Sequence, residues 1–391
     1  MIGSEPNPRL TDYVPLHAAG PPWRRGTLFL LTLVMGVAGC DRRLRAPEFP
    51  SNEPIAPNAH STSTDVVPRA ELAIVADGLR NPTGVAVQPR TGHVFVTSLD
   101  GVTRFVPEES FKAYTEVSGF SADSYGAGPR YQFGPLGLAF LDSTTLIVGG
   151  GGQPDGQDMI HFYTIEPTPS DAHEPQQASE SAFQLGPVPP GRDALRGEGN
   201  FFGLALHGRY LYMTSHGDDT KGWLHRVALR NGRPTRIEPW IPTKRLLALD
   251  APTAIVADDH RLLVAQFGEV YSHPDSLIAA YETTSGDLVA TYPTGLYDIV
   301  AIAKHPHTGE LYALDFCWAR PELGGLFRLA LRNTSADANR ATRIAAIVKP
   351  TAMAFAPDGT LYVAAIDRSN LDDTLESGKL FACRLTESAS P

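Results

Sequence analysis

Ten polar side chains stand where the residue pattern places the start of one strand or the end of the next: Glu198, Asn200, Ser215, His216, Asp218, Asp219, Asp250, Glu269, Asp298 and Asp315. Carboxylates and amides drawn together suit a hard cation, calcium or another divalent metal, because such ions take oxygen donors. Glu198, Asn200, Asp250, Asp298 and Asp315 are the candidate ligands for it. Each taken alone has an ordinary explanation as well, since Asp and Asn at strand ends commonly accept turn and strand amides. His216 is the candidate catalytic residue, an imidazole able to take a proton beside a metal or a quinone. Ser215, Asp218, Asp219, Lys221, Gln266, Glu269, Tyr297 and Trp318 complete the candidate ligand face. Phe133, Phe201, Phe202, Trp223, Phe267, Tyr297, Phe316 and Trp318 either pack between elements or offer a stacking platform for a sugar or peptide.

These residues converge if the chain repeats around an axis. Six segments carry a short apolar strand with a small residue near its start: Thr83-Gly84-Val85-Ala86, Leu136-Gly137-Leu138-Ala139, Phe202-Gly203-Leu204-Ala205, Thr253-Ala254-Ile255-Val256, Val300-Ala301-Ile302-Ala303 and Thr351-Ala352-Met353-Ala354. The small residues are spaced by 53, 66, 51, 47 and 51 positions. A second apolar strand follows each after a tight polar turn, at 93–97, 145–148, 210–214, 261–265, 311–315 and 361–365. A period near 50 residues matches four short strands per unit, and six units close a ring. The expected fold is all-β, a six-bladed β-propeller with four-stranded blades over residues 71–386. Gly or Ala recurs because the innermost strands crowd the axis. The last unit stops one strand short, and residues 72–76 can supply that outer strand and remove the open edge.

The stretches Asn81-Pro82-Thr83-Gly84-Val85-Ala86 and Ala356-Pro357-Asp358-Gly359-Thr360-Leu361-Tyr362-Val363-Ala364 run proline, glycine, strand, turn, strand. In this the chain resembles the NHL-repeat, gluconolactonase and strictosidine-synthase-like group of six-bladed propellers, over about 315 residues. It is also similar to bacterial propeller lipoproteins through Phe133-Gly134-Pro135-Leu136-Gly137-Leu138, Gly197-Glu198-Gly199-Asn200-Phe201-Phe202-Gly203 and Gly217-Asp218-Asp219-Thr220-Lys221-Gly222-Trp223. The gluconolactonase resemblance implies a divalent metal held near the axis by Glu, Asn and Asp, polarising a lactone carbonyl or activating water. Glu198-Gly199-Asn200 offers a Glu and an Asn, but before a single strand, and Thr83, Leu136 and Phe202 replace the family's asparagine ahead of the strand glycine. Soluble quinoprotein dehydrogenases share the broad architecture and place a basic residue over the quinone; His216 and Lys221 are the basic residues of the matching loop. Three functions are therefore in view: a ligand- or protein-binding module, a metal-dependent hydrolase of the gluconolactonase type, and a quinone-dependent sugar dehydrogenase-like protein.

Loop lengths separate the two faces of the ring. Turns between first and second strands are short, at 88–92, 142–143, 207–209, 258–260, 306–310 and 357–360. Second-to-third connections are long and polar at 149–158, 215–222, 266–276, 316–323 and 366–377, with only 98–101 tight. Segments 121–133 and 187–200 add to the long-loop face. Loops beyond hairpin needs are commonly functional, so this face is expected to meet a protein or a carbohydrate-like ligand. The Pro-, Ser- and Gln-rich insertion 166–181 is expected to be a solvated loop on the opposite face.

With 391 residues, 42% hydrophobic and 19% charged, the chain can bury a large core. A formal charge of −10 lacks the cationic footprint that phosphate backbones require, which excludes nucleic acid. Arg24-Arg25, the apolar run 27–37 and Val37-Ala38-Gly39-Cys40 follow the order of n-region, h-region and small-residue cleavage site. The apolar run is short for a membrane span. It resembles a bacterial lipoprotein signal over residues 1–39, which implies a lipidated Cys40 and an envelope protein facing the periplasm or exterior. Residues 40–70, with Pro47, Pro50, Pro54, Pro57 and Pro68, read as a flexible tether, and 387–391 as a tail. Cys317 and Cys383 are expected as buried free thiols. The expected partners are thus the membrane, through Cys40, and a ligand at the long-loop face, with the chain acting as a monomer.

Overall fold

Short runs such as Val94–Ser98 and Leu311–Asp315 are buried along their whole length. A strand pressed between two other sheets has no solvent side, so it reads as a continuous apolar run. The computed structural model describes residues 69–126, 130–170, 172, 174–191, 194–218, 221–270, 273–331, 340–367 and 375–386. They form six successive antiparallel blades whose innermost strands are Gly84–Val87, Leu138–Phe140, Leu204–His207, Pro252–Asp258, Ile299–Lys304 and Pro350–Phe355. These strands neighbour one another in chain order, and the sixth returns to the first. The six-bladed propeller expected from the repeat is the fold observed.

Each pair of adjacent blades encloses its own apolar cluster. Phe95 meets Phe140 edge-on at 5.0 Å between blades one and two. Ile147 and Met213, Leu224 and Val264, Ala265 and Ile302, Leu314 and Val363, and Val96 and Ala364 fill the other five interfaces. Burying each larger side chain contributes roughly 1.5–3 kcal/mol, so the seams between blades carry much of the stability. Near the axis the strands approach closely: a β-carbon on Gly84 would stand 2.2 Å from the Leu136 carbonyl oxygen, and one on Gly137 2.2 Å from that of Phe202. Threonine hydroxyls tie strand to strand there, Thr83 to the Pro135 carbonyl at 2.7 Å and Thr253 to that of Ile299 at 2.7 Å.

The ring closes through Arg69–Leu79, which pairs antiparallel with Gly378–Thr386 as the outer strand of blade six, Leu72 opposite Cys383. This strand is longer than the expected 72–76 and takes in Arg69 and Ala70, which composition alone assigns to the tether. Two further expectations need correction. The insertion 166–181 is not simply a solvated loop: Gln176–Gln177 pairs in parallel with Lys112–Ser118, adding a fifth strand to blade one. Buried Arg104, ion-paired to Glu116 at 2.7 Å, donates to the Glu166 carbonyl at 2.8 Å and so docks the segment. The open edge of blade one and the spare donors of a buried guanidinium both call for such partners. Likewise 215–222 is a hairpin extension, Tyr210–Asp218 against Lys221–Arg230, rather than an open loop. Cys317 and Cys383 are buried and free.

Candidate functional site

The residue three positions before each small residue stands where its strand leaves the channel mouth: Asn81, Gly134, Asn200, Ala251, Asp298 and Lys349. Four of these have left-handed backbones, with φ of 45° at Asn81, 53° at Asn200, 43° at Ala251 and 49° at Lys349. Non-glycine residues persist in that region only where surrounding contacts hold them. Here the side chains reach the crossing loops. Asn81 donates to the Gln132 carbonyl at 2.7 Å, Asn200 to that of His216 at 2.7 Å, and Lys349 to that of Cys317 at 2.8 Å.

Above this ring lies a cavity of about 740 Å³ to which every blade contributes, including Thr83, Asp155, Asn200, His216, Thr253, Phe267, Trp318 and Thr351. A smaller space of about 100 Å³ continues down the axis between the innermost strands. One wall is aromatic. The Trp318 ring stands 5.1 Å from Tyr131, 5.3 Å from Phe316 and 6.4 Å from Phe267. Tyr131 arrives on a two-stranded hairpin, Asp123–Tyr125 with Tyr131–Phe133, that rises between blades one and two. The hairpin is pinned at Tyr125, whose hydroxyl lies within hydrogen-bonding reach of the Asn200 side-chain oxygen and the Gly151 carbonyl and shares its one proton between them. Burial, reinforced by Asp158, pushes that phenol far up, so it stays protonated. The rim is polar: Arg196 pairs with Asp155 at 3.1 Å, Lys244 pairs with Asp250, and Asp123, Arg130, His216 and Glu269 complete it.

Of the residues singled out in the sequence, Asn200, His216, Asp250, Glu269 and Trp318 line this cavity, together with Phe133, Phe202, Phe267 and Phe316. The five candidate metal ligands are not brought together. Glu198 is buried and accepts the Ser215 hydroxyl at 2.7 Å, while Ser215 in turn meets His225 Nε2 at 2.7 Å. Burial lowers the His225 imidazole to about 3, so that ring is neutral. Asp315 accepts the backbone N–H groups of Tyr297 at 3.0 Å, Asp298 at 2.8 Å and Cys317 at 3.3 Å. Asp298 accepts the N–H of Trp318, and Asp250 is held by Lys244. Each of the five already has an oxygen engaged by a protein donor, and among the described residues no three His, Cys, Asp or Glu side chains gather into a metal site, so these residues do not fit a divalent metal.

Gln266 is fully buried behind Phe267, and its amide has no hydrogen-bond partner among the described residues. Tyr297 lies outside the cavity lining, under the Arg320 guanidinium at 5.3 Å. Asp218 and Lys221 face each other across the hairpin by their backbones, while Asp219 and Cys40 lie outside the described residues. Sequence reasoning missed Tyr125, Asp158, Arg196 and Lys349. Asp158 is buried, accepts the N–H groups of Asn200 at 2.9 Å and Gln153 at 3.1 Å, and so seats Asn200 at the mouth. Lys349 had a findable signal, because Lys349-Pro350-Thr351-Ala352 repeats the frame of Asn81-Pro82-Thr83-Gly84 and Ala251-Pro252-Thr253-Ala254.

No protein-family model and no curated protein sequence matches the chain. Solved structures do match it in shape. One described as glucose dehydrogenase aligns with a TM-score of 0.52 and 14% identity, over 80% of this chain and 99% of its own. The apo-form of the soluble aldose sugar dehydrogenase from Escherichia coli aligns at 0.51 and 11%, over 81% and 99% of the two chains. A protein described as a gluconolactonase aligns at 0.51 and 11%, over 81% and 92%. Identities this low establish a shared six-bladed scaffold and nothing finer, because one fold hosts many unrelated functions.

Proposed function

We propose that the protein binds a small, carbohydrate-like ligand in the cavity at the channel mouth, while a lipid on Cys40 holds it at the cell envelope. The observation that carries this is the union, in one concave space of about 740 Å³, of an aromatic wall and a polar rim. Ligand sites commonly span about 300–1,000 Å³ and combine apolar walls with a few placed polar groups. A sugar offers an apolar ring face to Trp318 and Phe267 and hydroxyls to Asn200, His216, Asp250 and Arg196. The concavity favours a small ligand over a flat protein partner. Hydrolysis of the lactonase type would need a metal, for which Glu198, Asn200, Asp250, Asp298 and Asp315 are already engaged elsewhere. The signal-like run ending at Cys40 supports the anchor, with residues 40–68 as the tether that lets the ring stand clear of the membrane.

Calorimetric titration with a panel of mono- and disaccharides tests the ligand. Trp318→Ala and Phe267→Ala are expected to weaken binding by about tenfold or more, as loss of an aromatic anchor does. Failure of every saccharide to bind, or affinity untouched by both changes, would refute it. Replacing Cys40→Ser should abolish fatty-acid labelling and move the protein to the soluble fraction; labelled, membrane-bound protein would refute the anchor.

A further inference from the structure

We propose that Asp298 and Lys349 form a buried clamp that fixes Trp318 as the wall by which the cavity selects its ligand, an inference that rests on the cavity being the binding site. The two residues hold the same offset before the innermost strands of blades five and six. Asp298 is 3% exposed and accepts the backbone N–H of Trp318. Lys349 is 1% exposed and donates to the carbonyl of Trp318 and, at 2.8 Å, to that of Cys317. The peptide groups on both sides of Trp318 are therefore held by charged side chains instead of a strand partner. The Lys349 ammonium also lies 4.4 Å from the centre of the Phe316 ring, a cation–π contact within the same wall.

Burying a lysine is unfavourable unless its charge and donors are met, so its presence under this turn needs a reason. The turn has its own backbone bond, from the Arg320 N–H to the Cys317 carbonyl at 3.1 Å, and the two charged side chains add to it. The same turn carries the indole that meets Tyr131, Phe316 and Phe267, and a small displacement of Trp318 would reshape the whole wall. Asp298, Cys317, Asp315 and Glu322 face Lys349, while Asp315, Lys349 and Asp275 face Asp298. Burial lowers Lys349 to about 8 and raises Asp298 to about 6, each charge opposing the other's displacement. Both ends are charged only between those values. Below the window Asp298 is protonated and accepts poorly; above it Lys349 is neutral and donates poorly.

Acrylamide quenching of Trp318 emission, isolated as the difference between wild type and Trp318→Phe, reads the clamp directly. Quenching is expected to be lowest between about pH 6 and 8 and to rise on both sides while circular dichroism stays constant. Lys349→Met should raise quenching at pH 7 and flatten the alkaline limb, and Asp298→Asn should flatten the acid limb. Each should weaken saccharide binding by about tenfold. A flat difference profile overturns the clamp, and that measurement needs neither Lys349→Met nor Asp298→Asn to fold. Variants that fold but leave Trp318 quenching unchanged overturn it too. If wild type binds no saccharide, the binding reading fails, and the Trp318 profile still decides the clamp.

Discussion

Asp158 accepts two backbone N–H bonds that favour its charge, yet its carboxyl is raised to about 6 because burial outweighs them. Its folded value exceeds the ordinary 3.8, so the native state holds the proton more tightly. Its contribution to stability is complete below about pH 4 and is lost as pH rises through about 6. Each tenfold gain in proton affinity on folding is worth about 1.4 kcal/mol, so relative to Asp158→Asn the wild type should lose up to about 3 kcal/mol between pH 4 and 7. Urea unfolding at each pH checks this, and a constant difference would contradict it. Arg104 tests burial from the other side. Its guanidinium is fully buried against Glu116, so Arg104→Met strands a carboxylate and should cost about 3–5 kcal/mol. Adding Glu116→Leu should recover much of that loss, and a second drop of equal size would show that the pair is not a unit.

The strand nearest the axis shows how crowding writes itself into sequence. Gly84 and Gly137 face a neighbouring carbonyl oxygen at 2.2 Å from where a β-carbon would sit, whereas the corresponding nearest atoms at Gly203 lie 3.0 Å away. Gly84→Ala and Gly137→Ala should each cost about 3 kcal/mol or more, and Gly203→Ala clearly less. Melting of the three variants checks the order; equal losses would mean that the axis relaxes freely. This is why the fold was legible: steric exclusion leaves Gly or Ala at a fixed period, and an edge left open in blade six asks for a strand elsewhere in the chain. The site was legible only in part. A carboxylate is visible in sequence, but the amide that occupies it is not, so Asp298 and Asp315 read as metal ligands when they cap Trp318, Tyr297 and Cys317. Asn81, Asn200, Ala251 and Lys349 share a backbone handedness, but only the two asparagines share a side chain, so residue type did not mark the four positions as equivalent.

At the scale of the whole ring, ligand binding and closure should reinforce one another. The cavity draws lining residues from all six blades, Thr83 in the first and Thr351 in the last among them, so an occupant bridges the seam that Arg69–Leu79 closes from outside. A ligand that binds only the native state adds RT ln(1 + [L]/Kd), about 2.7 kcal/mol at a hundredfold excess over Kd. For a domain of this size that is a rise of several degrees in the melting midpoint. A chain beginning at Gly78 lacks most of the closing strand and leaves the edge of Gly378–Thr386 unpaired. Its unfolding midpoint in urea should fall as one cooperative transition, and its saccharide affinity should fall with it, because Lys349 and Thr351 belong to the loosened blade. By linkage, saturating saccharide should then restore part of the lost stability. Calcium should restore none, since the carboxylates that would hold it are engaged by Lys244 and by backbone amides. A truncated chain that melts like the full one would show that the ring does not depend on its outer strand, and rescue by calcium instead of saccharide would place an oxygen-rich metal site where these contacts leave none.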